Sequence, residues 1–427
     1  MRSSLFVAIL FSTLSVSAHA DIFVPSDGSD GVLTGTQQID LSLAAYTDGE
    51  GETWEIPSPI EGQGVYDTKK WAVVFKYESV NIASGQTITF KNHPSRAPVV
   101  WLVQGDVTIA GTVNLDGGGG NDQSPSSPGP GGFRGGRRIV NYQDPASEGL
   151  GPGGGGFDGT YGRPGSYATN AGGVSGLTYG NVRILPLIGG SGGAGDPNWW
   201  DSRGGGGAGG GAILIAAQGE INIASSGLIL CRGGNSGVCG NGNERPGAGS
   251  GGAIRLVADL ISGSAPGLRA IGGCVGYNSQ GGNGRIRLEA NAITITNLPD
   301  IGNDWTWMLP PEFNGAEIWP AADAPTVRVT SIGGEDVPID PSSRFAEQGD
   351  VFLTTADSVD VVVEAENVPL DWTVVVEITQ RSGDRAQRTP TTLIGGNELL
   401  STWSVRVPPL PATDYVAVQA RAYNANP

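Results

Sequence analysis

The sequence predicts an all-β protein: a glycine-rich β-solenoid or β-helix-like domain with a polyglycine-II-type insertion, followed by a C-terminal β-sandwich. Three observations carry this. Short β-branched runs alternate with Gly, Asn and Ser turns, and no convincing amphipathic helix occurs in the chain. A glycine-led strand motif recurs at intervals of tens of residues. About half of the 71 glycines fall between residues 117 and 211.

The first 20 residues read as a secretory signal peptide: Arg2 at a charged start, an apolar run from Leu5 to Phe11, and Ser17-Ala18-His19-Ala20 as a small-x-small cleavage site. The mature chain is then expected to begin near Asp21 and to be secreted, extracellular or on the cell surface, with the periplasm as the other compartment. No later stretch reaches the roughly 20 uncharged apolar residues a membrane helix needs, so no membrane insertion is expected. The chain ends at Asn426-Pro427 without a hydrophobic tail, which suggests attachment that is non-covalent or through a partner.

From 21 to 116 the chain is read as the N-terminal strand region of the solenoid, with strands at 72–75, 79–82, 86–90, 99–103, 106–109 and 112–115. Residues 117–211 form the glycine-rich insertion, with runs at 117–120, 153–156 and 204–211, the last broken only by Ala208. In a polyproline-II-type helix at about 3.1 Å per residue, the 204–211 run spans about 25 Å, and such helices bond side by side only where no side chain holds them apart. Flexible low-complexity linker is the competing reading. Against it stand apolar Val182-Arg183-Ile184-Leu185-Pro186-Leu187-Ile188 and Trp199-Trp200, which suit a packed segment.

In 212–300 the motif repeats: Gly211-Ala212-Ile213-Leu214-Ile215, then Gly252-Ala253-Ile254-Arg255-Leu256, then Gly284-Arg285-Ile286-Arg287-Leu288. One copy cannot bury its own apolar face, so the copies are expected to stack. Residues 301–324, with Trp305, Trp307 and Trp319 among prolines, read as an irregular cap and linker. From 325 to 427 glycine falls and strands lengthen, at 326–331, 359–366, 373–379, 403–407 and 415–422, which suits an immunoglobulin-like β-sandwich without the antibody cysteine pair.

The glycine runs that end in Gly-Gly-Ala-Ile or Gly-Arg-Ile and enter a strand resemble secreted glycine-rich β-solenoid proteins of environmental bacteria. More loosely, the region 95–290 is similar to domains built on bundled polyglycine helices, such as the glycine-rich region of anaplastic lymphoma kinase and certain phage tail-fibre adhesins. The resemblance implies recognition or structural roles and supplies no catalytic residues.

A formal net charge of −17, with no lysine after Lys91, disfavours nucleic acid and anionic lipid and favours cations or neutral partners. Phe133-Arg134-Gly135-Gly136-Arg137-Arg138 looks superficially like an RNA-binding segment but reads as a solvated loop in an acidic chain. Cys231, Cys239 and Cys274 allow one intramolecular disulfide; Cys231 with Cys239 closes a small loop, and Cys231 with Cys274 joins successive repeats. No catalytic thiol and no metal site are expected, and no cofactor is called for. Calcium is admitted by Asp27-Gly28-Ser29-Asp30-Gly31 and Asp48-Gly49-Glu50-Gly51-Glu52, where turn and capping roles compete.

For chemistry on a polysaccharide, the acidic candidates are Asp116 with Asp122, and Asp158, Asp196 and Asp201, most beside turn residues. For binding, Trp199 and Trp200 with Asp196, Asp201 and Tyr161 supply stacking rings and polar acceptors, Tyr167 standing nearby; aromatic cover for the glycine helices is the alternative. The function expected is therefore a secreted structural or adhesive protein presenting a binding face to a polysaccharide or a cell-surface or matrix component, without catalysis. The rival is a lyase or hydrolase on a β-helix. Ice or mineral binding would require ranks of threonine or acid that the linear sequence does not display.

Overall fold

The computed structural model describes residues 22–47, 60–120, 124–139, 146–158, 161–171, 176–197, 204–237, 246–264, 266–274, 280–298, 306–309, 317–339, 341, 349–354, 357–380, 387–409 and 416–424. Residues 1–20, read from the sequence as a signal peptide, lie outside them. Among the described residues the chain is all-β, with one 3-10 turn, Leu41–Leu43, and no α-helix.

Between residues 32 and 309 the strands form three stacks of parallel neighbours. The first runs through Ala72–Tyr77, Val99–Val103, Ala212–Ala217, the first half of Ala253–Gly263, the first half of Arg285–Ile293, and Thr306–Leu309. The second runs through Val32–Thr34, Ser79–Ile82, Val107–Ile109, Glu220–Ile223 and the second halves of the same two long strands. The third contains Gln37–Asp40, Thr87–Lys91, Thr112–Asn114, Leu228–Leu230 and Leu268–Arg269. The chain visits the stacks in turn and then returns to the first one strand further along. The large sheet is mixed, because Val65–Asp67 joins Ala72–Tyr77 antiparallel.

Parallel register sorts the side chains into rows. Phe75, Trp101, Ile215, Leu256 and Leu288 are successive partners, as are Ile88, Val113, Ile229 and Leu268, and all are buried in one core between the stacks. The recurring Gly-x-Ile motif is the sequence trace of this register, since Ile213, Ile254 and Ile286 are direct neighbours. Strands Val99–Val103 and Ala212–Ala217 are buried on both faces, which is why they read as unbroken apolar runs. Their outward residues Val100, Leu102, Leu214 and Ala216 are covered by Ile22, Val24, Leu187, Ile318 and Trp319.

Beyond residue 325 every strand pairing among the described residues is antiparallel. One sheet orders Glu335–Asp336, Thr326–Ile332, Val359–Glu366, Leu400–Val407 and Thr392–Gly396, and a second orders Gln387–Pro390, Thr373–Gln380 and Val416–Tyr423. Val361, Val363, Val374, Val376, Ile378 and Trp403 from both sheets share a second core.

Two expectations change. Within the segment read as irregular linker, Thr306–Leu309 is a strand, because the open edge of Arg285–Ile293 offers unpaired backbone groups that a neighbouring extended segment satisfies. Cys231 and Cys274 are both free and buried. The register explains it: the Cys231 amide donates to the Arg269 carbonyl (2.7 Å), five residues short of Cys274, whose Sγ lies 3.5 Å from Ser236 Oγ. Cys239 lies outside the described residues.

Candidate binding face

The third stack does not stop at its strands. Thr112–Asn114 continues into 115–120, and Leu228–Leu230 continues into 231–237, while 204–211 and 246–252 lead back into the first stack at Ala212 and Ala253. These segments are neither helix nor sheet; 204–211 and 246–252 are buried throughout, and 115–120 and 231–237 are buried in part. Their peptide groups therefore need partners.

Segment 204–212 finds them with a period of three. The amides of Gly205, Ala208 and Gly211 donate to the carbonyls of Gly120, Gly118 and Leu115, at 2.8 to 3.0 Å. Those of Gly206, Gly209 and Ala212 donate to Gly136, Phe133 and Pro130, at 2.7 to 2.8 Å. Those of Gly207 and Gly210 donate to Gly247 and Ser250, at 2.9 and 3.0 Å. Its carbonyls in turn accept from Gly190, Gly193 and Asp196 of one neighbour and from Gly234 and Gly237 of another. One strand-width of chain thus bonds to five neighbours. The segment 189–196 repeats the pattern, with Gly189 and Gly192 turned toward Gly131 and Leu150 while Gly190 and Gly193 turn toward Gly210 and Gly207.

Close approach dictates the residue type. A Cβ on Gly206, Gly207, Gly209 or Gly210 would overlap the backbone carbonyl of Gly193, Gly234, Gly190 or Cys231, respectively. None of residues 205–211 has a left-handed φ, so the need is for space and not for an unusual dihedral. Ala194, Ala208 and Ala248 are fully buried and mark the places where a methyl group fits.

One end of this bundle is fused to the strands, at Leu115, Gly211, Cys231 and Gly252. The other end is a second level, where Ile139 donates to Asp196, Asp196 to Gly204, Gly205 to Gly120, Gly120 to Asn235, and Gly237 to Gly205. The links that follow Gly120, Ile139, Pro197 and Gly237 in the chain all start from that level. The short antiparallel pair Phe157–Asp158 with Tyr161–Gly162 lies toward the same end, since Arg163 just after it accepts from Ala194.

The predicted ligand residues divide accordingly. Tyr161 is 37 % exposed, with the Arg163 guanidinium 5.4 Å from its ring centroid. Asp196 stands at the far level but is fully buried, so it serves the bundle and is not an exposed acceptor. Tyr167 is also buried: it stacks on Tyr179 at 4.5 Å and donates to the Ile188 carbonyl at 3.0 Å, so it covers the glycine segments. Trp199, Trp200 and Asp201 lie outside the described residues, two to four positions after Pro197.

The acidic candidates are occupied structurally. Asp116 accepts from the Arg232 amide and from its guanidinium at 2.6 and 3.0 Å, and this hydrogen bonding holds the Arg232 pKa above its ordinary value. Asp122 and the Asp158 side chain lie outside the described residues. Of the calcium candidates, Asp30 accepts from the amides of Gly62, Gly64 and Lys76 and ties its own turn to the turn at 62–64 and to strand Ala72–Tyr77; burial raises its pKa against those bonds. Asp27 accepts from the Ser29 amide and pairs with Lys76 at 3.3 Å, and its hydrogen bonding with Ser29 lowers its pKa. Residues 48–52 lie outside. Among the described residues no group of three His, Cys, Asp or Glu is placed to hold a metal, and no helix is long and apolar enough to cross a membrane.

Sequence reasoning missed one cluster, the buried Arg255, Arg287 and Glu289: the repeat alignment sets Arg255 opposite Arg287, but nothing in it shows that both turn to a covered face and share Glu289. No protein-family model, curated protein or solved structure matches the chain.

Proposed function

We propose that this chain is a secreted, non-enzymatic structural or adhesive protein: a β-solenoid of three strand stacks, from which a bundle of polyglycine-II-type helices projects and presents a binding face at its far end. The observation that carries the reading is the polarity of the bundle. One end continues the strands, and the chain links that follow Gly120, Ile139, Pro197 and Gly237 all begin at the other. A hydrogen-bonded scaffold with its connecting links gathered at one end is the arrangement that recognition uses.

The reading gives the partner a chemistry. Tyr161 is an exposed ring at that end, and the link after Pro197 carries Trp199, Trp200 and Asp201. Flat rings beside amide and carboxylate acceptors suit the alternating apolar faces and hydroxyls of a polysaccharide, and the net charge of −17 favours a neutral one. The two C-terminal antiparallel sheets, in this reading an immunoglobulin-like sandwich, serve as spacer or attachment. The strand stacks supply reach and the sandwich supplies connection to a surface.

The test is incubation of the purified mature chain, with and without calcium, against a panel of polysaccharides and intact bacterial cells, with retained protein and released sugar ends scored in the same wells. Retention without release, weakened at least tenfold in Tyr161→Ala and in Trp199→Ala/Trp200→Ala, is the expected result. Release that disappears in Asp158→Asn or Asp201→Asn makes the chain a polysaccharide-cleaving enzyme on the same scaffold.

A further inference from the structure

Arg255 and Arg287 are direct partners on neighbouring parallel strands, on the outward face of the first stack. Both donate through Nε to one atom, Glu289 Oε1, at 2.7 and 2.6 Å. The Arg255 and Glu289 side chains are only 2 and 3 % exposed. One carboxylate thus serves two guanidinium groups, and the other acceptors are neutral: Arg255 Nη2 donates to the Glu317 carbonyl at 2.6 Å and Arg287 Nη1 to the Val182 carbonyl at 3.2 Å. The buried Nη1 of Arg255 has no hydrogen-bond partner among the described residues.

Like charges on adjacent strands repel, and a buried charge without compensation is costly. Among the described residues, the carboxylate bonded to Arg255 and Arg287 is that of Glu289 alone. What closes the cluster is the segment at 317–319: Ile318 and Trp319 pack on Val100, Leu102, Leu214 and Val257, and Glu317 accepts from Arg255 through its carbonyl while its carboxylate meets Arg183 at the exposed rim, 3.5 Å away. The cover is therefore held partly by the cation it covers.

We infer that a small monovalent inorganic anion of the halide type binds at Nη1 of Arg255, neutralises the cluster and fastens segment 317–319 to the strand face. Bound there, it supplies the acceptor that Nη1 lacks and the second negative charge that two guanidinium groups require. This site is separate from the far end of the bundle, so its failure leaves the binding-face reading untouched.

Two measurements on the full mature chain decide it. Crystals grown in sodium bromide are expected to show an anomalous peak within hydrogen-bonding distance of Arg255 Nη1; a water in its place, or no peak, overturns the inference. Thermal unfolding in sodium chloride is expected to begin a few degrees higher than in sodium gluconate at equal ionic strength, a rise that disappears in Arg255→Met. The same chloride response in both proteins would also overturn it. Should Arg255→Met fail to fold, the bromide map of the unsubstituted chain stands as the deciding result.

Discussion

At the residue scale, the contrast between Ala208 and Gly209 states what the bundle requires. Ala208 is fully buried and its methyl is accommodated, whereas a Cβ one position later would overlap the Gly190 carbonyl. Neither position has a left-handed φ, so the difference is one of neighbour distance alone. Gly209→Ala is accordingly expected to cost about 1–3 kcal/mol, the range for overpacking a filled interior. Gly395→Ala, with nothing near its Cβ, is expected to stay within about 0.5 kcal/mol. Denaturant titration of the two variants checks this, and equal effects would contradict the close approach. Cys231 gives a second residue-level expectation. It is fully buried, and that burial, followed by the nearby Asp116 charge, raises its thiol pKa well above the ordinary value. The thiolate is the reactive form, so at about pH 8.5, where an exposed thiol is half ionised, Cys231 is expected to resist iodoacetamide in the native chain and to react in denaturant. Mass spectrometry of the labelled peptide reads the outcome; rapid native labelling would mean that the third stack opens locally.

At the element scale, a glycine segment differs from a strand in how its amides are shared. A strand exchanges bonds with two neighbours, and an edge strand such as Thr392–Gly396 with one. Segment 204–212 sends successive amides to three different neighbours and accepts from more. It cannot peel away from one without breaking bonds to the others, so amides 205–212 are expected to exchange only with unfolding of the whole stack, while 392–396 exchange through local opening. Hydrogen exchange by mass spectrometry checks this, and early exchange across 205–212 would contradict the shared ladder. The same contrast explains what the sequence disclosed. Strands at 79–82 and 99–103 were legible to the residue, because parallel burial leaves β-branched runs bounded by turns. The Gly-x-Ile echoes were legible as repeats because in-register rows demand the same residue on each rung. The order of the glycine segments could be suspected but not their partners: glycine carries no side-chain pattern, and which of five neighbours receives a given amide is fixed by packing of the whole bundle. Asp196 and Tyr167 show the same limit, since polarity and aromaticity fit a ligand surface as well as they fit the buried roles these residues fill. Thr306–Leu309 was hidden among tryptophan and proline, and its strand character comes from the edge it completes.

At the scale of the whole molecule, the two largest apolar cores among the described residues share no residue. One lies between the three stacks and includes Trp101; the other lies between the two C-terminal sheets and includes Trp403. The first is built from contacts between strands far apart in sequence and is continuous with the glycine bundle, so its rows, stacks and bundle stand or fall together. The second is closed by antiparallel pairs within about 100 residues and requires none of the first. Cooperativity follows shared burial, so two separate cores are expected to unfold as two units, and a single unfolding free energy would not describe the chain. The clean test uses one tryptophan as reporter for each. Trp101→Phe removes the buried ring of the stacks and Trp403→Phe that of the C-terminal core, against a background that includes the half-buried Trp71, Trp319 and Trp372. In guanidinium, the two variants are expected to show fluorescence transitions at different midpoints, with amides 205–212 becoming exchangeable at the Trp101 midpoint and not at the other. Coincident midpoints in both variants would show that the C-terminal sheets and the stacks stabilise each other. In that case the C-terminal region is a structural part of the display scaffold, and a spacer role for it is untenable.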